Sequence, residues 1–182
     1  MPSLRTAASA WRITAGLLAL SVSLAACFSK KPAQPPPPPA SFTLHVQGTS
    51  DINPDAEGRP SPVWLRIYEL RGDAAFQSAD FLGLFDHDKQ VLAGDLIAQD
   101  RYSVNPGQSM DIVMKADPDT RVVAVLAEFR DYRNSQSRAS LVWNAPPDPG
   151  QPVKKAPRPS TSLRVLLNGK SVAISADVPP QH

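Results

Sequence analysis

The chain has one cysteine, Cys27, in 182 residues. No disulfide can form within it, so the fold must be held by packing alone. Histidine is nearly as scarce, at three. His182 is terminal and His45 falls on the polar side of an alternating stretch, which leaves Asp86-His87-Asp88 as the one cluster that suggests a metal. Consecutive residues do not converge on one ion without a special loop, so a solvated turn after a helix is expected there. There is no glycine-rich phosphate loop, and no serine stands in a nucleophile-elbow context. No catalytic residue, cofactor or metal is therefore expected, and nothing positive supports an enzyme. Charge of one sign is missing as well. Of 19 Lys+Arg, Arg5 and Arg12 lie in the first 26 residues, and the rest match 17 Asp+Glu. No basic footprint for nucleic acid remains.

Long apolar runs are also absent. The longest, ITAGLLALSVSL at 13–24, reaches roughly 18 Å as a helix against a hydrocarbon core of roughly 30 Å. Behind Arg5 and Arg12 it reads as a signal-peptide core, not a membrane span. Leu24-Ala25-Ala26-Cys27 follows. Small residues admit a peptidase, and the thiol is the nucleophile that takes a diacylglycerol. An ordinary signal with an incidental cysteine is the weaker alternative, because the only thiol sits where lipidation requires it. The expected organisation is a signal peptide at 1–26, a lipidated proline-rich tether at 27–40 and one folded domain at 41–182. The tether, with the run Pro35 to Pro39, favours polyproline II at roughly 3.1 Å per residue, a reach of up to about 40 Å. Phe28 follows the cysteine where aspartate often retains lipoproteins in the inner membrane, which favours the outer membrane.

Beyond residue 40, alternation dominates. Phe42, Leu44 and Val46 mark one strand, and Val63, Leu65 and Ile67 a second whose other face carries Trp64, Arg66 and Tyr68. Met110, Ile112 and Met114 form another alternating set, as do Ala139, Leu141 and Trp143. The stretch 122–129 is apolar on both faces and should be central. Asn168-Gly169 between apolar runs predicts a hairpin. Around 78–85, Phe81, Leu82, Leu84 and Phe85 follow helical spacing, with Ser78 as cap and Asp80 in the first turn. The fold class expected is all-β, an antiparallel sandwich with one short inserted helix packed by its aromatic side. Two loops are long, 48–62 with built-looking turn chemistry and the proline-rich 145–159.

The ordered motifs carry a resemblance. Asn53-Pro54-Asp55 and Gly58-Arg59-Pro60-Ser61-Pro62 lead into Val-Trp-Leu-Arg-Ile-Tyr-Glu-Leu. Ala79-Asp80-Phe81, Leu84-Phe85, Asp95-Leu96, Pro106-Gly107 and Ala127-Glu128-Phe129-Arg130-Asp131 then follow. Behind a lipobox, this series resembles the TssJ lipoproteins of the type VI secretion system over roughly residues 41–176. The resemblance implies a transthyretin-like sandwich with an added helix, anchored through Cys27 to the periplasmic face of the outer membrane. It also implies that the β-sandwich at 41–182 is a docking domain for the periplasmic C-terminal part of TssM, a large inner-membrane protein, with no nucleic acid or small-molecule substrate. Candidate partner-binding residues are Asn53, Asp55, Gly58, Arg59 and Pro60. Turn geometry alone could equally account for that segment, and Arg130 and Asp131 could simply pair with each other. The proline-rich loop after Trp143 departs from the family pattern. A transthyretin-like lipoprotein for a small ligand or glycan, and a pilotin for another secretion machine, are the alternative functions.

Overall fold

The computed structural model describes residues 41–143 and 162–177. The expected signal peptide, Cys27, the tether and the loop 145–159 lie outside the described residues. Eight strands form two four-stranded sheets. They are β1 (Ser41–Gly48), β2 (Val63–Leu70), β3 (Leu96–Val104), β4 (Ser109–Lys115), β5 (Val122–Ala127), β6 (Arg138–Val142), β7 (Ser162–Asn168) and β8 (Ser171–Ala176). The first sheet runs β4-β1-β7-β8 and the second β3-β2-β5-β6. Every strand pair is antiparallel except β1 with β7.

Side-chain alternation explains how the layers close. Phe42, Leu44 and Val46 of β1 and Leu163, Val165 and Leu167 of β7 point between the sheets. There they meet Val63, Leu65 and Ile67 of β2 and Val123 and Val125 of β5. Burying each such side chain contributes about 1.5–3 kcal/mol. β5 is buried at all six positions, as its unbroken apolar run requires of a central strand covered on both faces. Its second face, with Tyr68 and Leu70 of β2, packs against helices α1 (Ala74–Ser78) and α2 (Phe81–Leu92) through Phe76, Leu84 and Leu92.

The structure differs from the sequence reading at several points. β3 has no apolar alternation, since Gln99, Asp100 and Arg101 interrupt it. It forms as an edge strand, paired along one side to β2. The inserted helical segment is longer than expected, with two helices. Ser78 does not cap α2. It ends α1 and donates to the Ala75 carbonyl, whereas the Asp80 carboxylate accepts from the Gly83 N–H at 2.7 Å. The buried residues of α2 are Leu84, Asp88 and Leu92; of its two aromatics, Phe81 packs against this cluster partly buried and Phe85 is exposed, so the aromatic side is only in part the packed one. Asp86-His87-Asp88 is no solvated turn, because it lies inside α2 with Asp88 buried. The β7–β8 turn is Gly169-Lys170, one residue later than Asn168-Gly169. Within it Gly169 alone takes a positive φ, at 55°, at the first of two loop positions, where glycine is favoured.

Candidate docking surface

The loop 49–62 is fastened at one end of the sandwich by a few residues. Ile52 is buried in the core between the sheets. Asn53 is 3% exposed and sits at φ 50°, a left-handed conformation that asparagine tolerates better than most residues. Its backbone N–H donates to the Gly169 carbonyl at 2.8 Å. Its side-chain amide donates to the Pro62 carbonyl at 2.7 Å and accepts from the Arg130 N–H at 2.9 Å. The Ser61 hydroxyl closes the base on the Asn53 carbonyl at 2.6 Å. One buried residue thus ties the loop, the β7–β8 turn and the segment after β5 together.

Asp55 organises the tip. Its carboxylate accepts from the Glu57 and Arg59 N–H groups at 3.0 and 2.8 Å, and from Arg59 Nε at 2.8 Å. The Gly58 N–H donates to the Asp55 carbonyl at 3.0 Å, with Gly58 at φ 79°. The backbone hydrogen bond from Arg59, more than any other contact, holds the Asp55 carboxyl below its ordinary range, against the opposing effect of desolvation. Gly58, Arg59 and Pro60 are exposed, and the Arg59 side chain, 74% exposed, also bridges to Glu57 at 3.0 Å. The five sequence candidates therefore divide. Asn53 and Asp55 hold the loop, and Gly58, Arg59 and Pro60 are presented to solvent.

Arg130 and Asp131 do not pair with each other. Asp131 binds Lys170 Nζ at 2.6 Å, a contact that leads in drawing its carboxyl below the usual value. Arg130 offers its backbone N–H to Asn53, and its charge acts on Asp55 only through space.

Beside the loop, the outer face of the second sheet carries a buried ionic network that sequence reasoning missed. Arg66 donates through Nε to Glu128 at 2.6 Å and through Nη1 to Asp88 at 2.9 Å. Arg101 reaches the other Glu128 oxygen at 2.5 Å. Two cations thus face two carboxylates. α2 leaves helical geometry at His87, φ −137°, and the Leu84 and Phe85 carbonyls accept from Arg66 at 3.1 and 2.9 Å. Tyr68 donates to Asp88 at 3.3 Å, and burial, then the Asp88 charge, push its phenol well above the usual range. For Arg66, burial acts to lower the pKa, but the Glu128 hydrogen bond and its other partners outweigh it and leave the guanidinium raised. The only sequence signal for this network was the alternation that set Trp64, Arg66 and Tyr68 on one face.

Around this network lie aromatics open to solvent in whole or in part. The Arg101 guanidinium stacks over exposed Trp64 at 4.4 Å. Half-buried Phe81 stacks between Phe85 at 5.7 Å and Tyr132 at 4.7 Å. Such a surface, aromatic and arginine-rich on a rigid sheet, is suited to protein recognition rather than bond-making. Among the described residues, no group of three His, Cys, Asp or Glu is placed to hold a metal, and no helix is long and apolar enough to cross a membrane.

A family model described as type VI secretion lipoprotein (T6SS-SciN; VasD, EvfM, TssJ, VC_A0113) matches residues 40–170. The T6SS lipoprotein TssJ1 of Pseudomonas aeruginosa is 31% identical with a TM-score of 0.65, the match covering 79% of this chain and all of that one. A chain from a type VI membrane complex is 28% identical with a TM-score of 0.60, over 78% of this chain and 98% of that one. A chain in a structure described as the TssM C-terminal domain (869–1107) from EAEC is 27% identical with a TM-score of 0.57, over 74% and 99%. No curated protein sequence matches.

Proposed function

The chain belongs to the TssJ family of type VI secretion lipoproteins, and from that premise we propose that it is acylated at Cys27, anchored to the periplasmic face of the outer membrane, and docks the periplasmic C-terminal part of TssM. The family is a structural component of the secretion machine, and the protein is not an enzyme. Cleavage after Ala26 leaves the lipid-bearing cysteine at the head of the proline-rich tether, which spaces the sandwich from the membrane.

The observation that carries the docking role is the fastening of the loop 49–62. Asn53 and Asp55 commit their polar atoms to holding the backbone. The Gly58-Arg59-Pro60 tip is thereby offered to a partner at little further cost in ordering. The reading as a small-ligand or glycan carrier is less well supported, because Phe42, Leu44, Leu65, Val125 and Val165 pack the space between the sheets. Membership of a type VI family likewise leaves a pilotin role in another machine without support.

The test is calorimetric titration of the full acylated chain, in detergent, with the periplasmic C-terminal domain of TssM from the same genome. Saturable binding is expected, weakened by Arg59→Ala. No binding at micromolar concentrations would refute the docking role. Cys27→Ser is expected to leave the outer-membrane fraction, and unchanged partition would refute the lipid anchor.

A further inference from the structure

The arginines of the described residues fall into two groups. The guanidinium groups of Arg59, Arg66, Arg71, Arg101, Arg121, Arg138 and Arg164 all donate hydrogen bonds to carboxylates or carbonyls. Those of Arg130 and Arg133 donate none; both residues are exposed, and they lie three apart around one short turn. The carboxylates nearby are occupied, Asp131 by Lys170 and Asn134, and Asp55 by Arg59.

This pair sits at a junction. The Arg130 N–H is bound by Asn53, which places it against the base of the loop 49–62. Arg133 lies over the Tyr132 ring at 5.6 Å, and Tyr132 stacks on Phe81, which stacks on Phe85. Leu82 is exposed, and it stands three residues before Phe85 on the same helix, a spacing that makes the two neighbours. Two unused guanidinium forks thus border an apolar strip of Tyr132, Phe81, Phe85 and Leu82 that runs from half-buried to exposed.

We infer that Arg130 and Arg133 receive carboxylates of an acidic segment of the docked partner, whose apolar side chains lie along the Tyr132–Phe81–Phe85–Leu82 strip. The inference rests on the docking role and extends its surface beyond the loop. A guanidinium fork matches a carboxylate in two parallel hydrogen bonds, and aromatic and arginine side chains dominate the energetic centres of protein interfaces. An anionic membrane is a poorer match. Electrostatic lipid binding calls for clusters of about four to eight cations, whereas this strip is bordered by two.

The test compares the full acylated chain with its Arg130→Glu/Arg133→Glu and Arg133→Lys forms, by titration with the TssM periplasmic domain. Neither side chain donates a hydrogen bond and both are exposed, so losing the Arg133–Tyr132 contact and the Arg130 charge near Asp55 should lower the thermal midpoint by no more than a few degrees. The double reversal should weaken binding by about thirtyfold or more and flatten its salt dependence. Arg133→Lys should cost only a few-fold. A double variant that binds within about twofold of wild type overturns the inference and leaves the docking role intact. Failure of the wild-type chain to bind overturns both. In a second arm, the full chain carrying Cys27→Ser is mixed with phosphatidylglycerol vesicles. If the arginine pair governs vesicle binding while TssM affinity is indifferent to it, the strip is a lipid contact and the inference is wrong.

Discussion

The two outer faces of the sandwich are built from similar alternating strands, yet they differ in what lies over them. On the second sheet, α1 and α2 cover Tyr68, Leu70, Ala124 and Leu126; of the strand cations that reach under them, Arg66 is matched by Asp88 and Glu128, and Arg138 donates to the Phe76 and Ala79 carbonyls. On the first sheet no described element lies over the strands. There His45 pairs with Asp111 at 2.6 Å between half-open side chains, and Val113 is 74% exposed. The same kind of contact is therefore made in two dielectric settings. Coulomb attraction is worth several times more where water is excluded, but so is the cost of losing one partner. The covered face should be intolerant of charge removal and the open face indifferent to it.

The largest effect is expected for Arg66→Met. Removing the guanidinium leaves Glu128 and Asp88 buried with their main cation gone, and also leaves the Leu84 and Phe85 carbonyls without their donor. Breaking one partner of a buried pair costs about 3–5 kcal/mol, which urea unfolding would register as a lower midpoint at unchanged slope. A loss under about 1 kcal/mol would mean that Arg101 and water replace the contact. Arg66→Met/Asp88→Leu/Glu128→Leu should recover much of the loss, since apolar replacement of a whole buried network is often neutral.

That network also marks the limit of what was legible in the sequence. β1, β2 and the central β5 were readable because their apolar residues fall at period two or fill both faces, a local property. β3 was not, because an edge strand with polar residues on its outward side has no alternation to detect. Its pairing is decided by β2, on the far side of both helices in the chain. The continuation of α2 through Asp86-His87-Asp88 was hidden for a related reason. Asp88 can be buried only because Arg66 reaches it from another strand, and no local pattern reports a partner 22 residues distant. In the loop 49–62, residue types did point to built turns. They could not separate Asn53, which is consumed in holding the loop, from Arg59, which is presented.

Asn53→Ala should have the next largest effect. It removes both side-chain hydrogen bonds that fasten the loop and leaves an alanine at φ 50°. Orphaning the buried groups costs about 1–3 kcal/mol, and partner affinity should fall with stability. Asn53→Gly relieves the backbone strain alone and should recover only part of the loss. If Asn53→Ala binds the partner with wild-type affinity, a fastened loop is not what the docking requires.

Acid titration sharpens the comparison between contacts at the loop end and those elsewhere. Asp55, Asp131 and Asp51 all have carboxyls held below the usual 3.8, chiefly by Arg59, Lys170 and Thr49 respectively. A carboxyl depressed in the folded state stabilises it fully above the unfolded pKa of about 4. That stability is lost as pH falls through the folded value. The loop end should accordingly loosen below about pH 4, with hydrogen-exchange protection, relative to the unfolded chain at the same pH, falling at the Glu57 and Arg59 amides that donate to Asp55. Asp55→Asn should show fast exchange already at neutral pH and lose this dependence. Protection of these amides at neutral pH that Asp55→Asn leaves unchanged would show that the carboxylate does not fasten the loop.

The smallest effect should come from Asp111→Asn on the open face. The 2.6 Å contact to His45 is as short as that of Arg66 to Glu128, so distance alone would rank the two pairs together. Burial separates them. Both members of the His45 pair are well solvated, and an exposed pair contributes about 0–1 kcal/mol, with much of its attraction screened by salt. The amide introduced by the substitution still offers an oxygen to the imidazole. Urea unfolding should shift by no more than about 0.5 kcal/mol, against the several expected for Arg66→Met. A loss of about 2 kcal/mol, well beyond what a solvated pair supplies, would imply that this face is not open to water. The contrast between the two faces would then have to rest on something other than the helices that cover one of them.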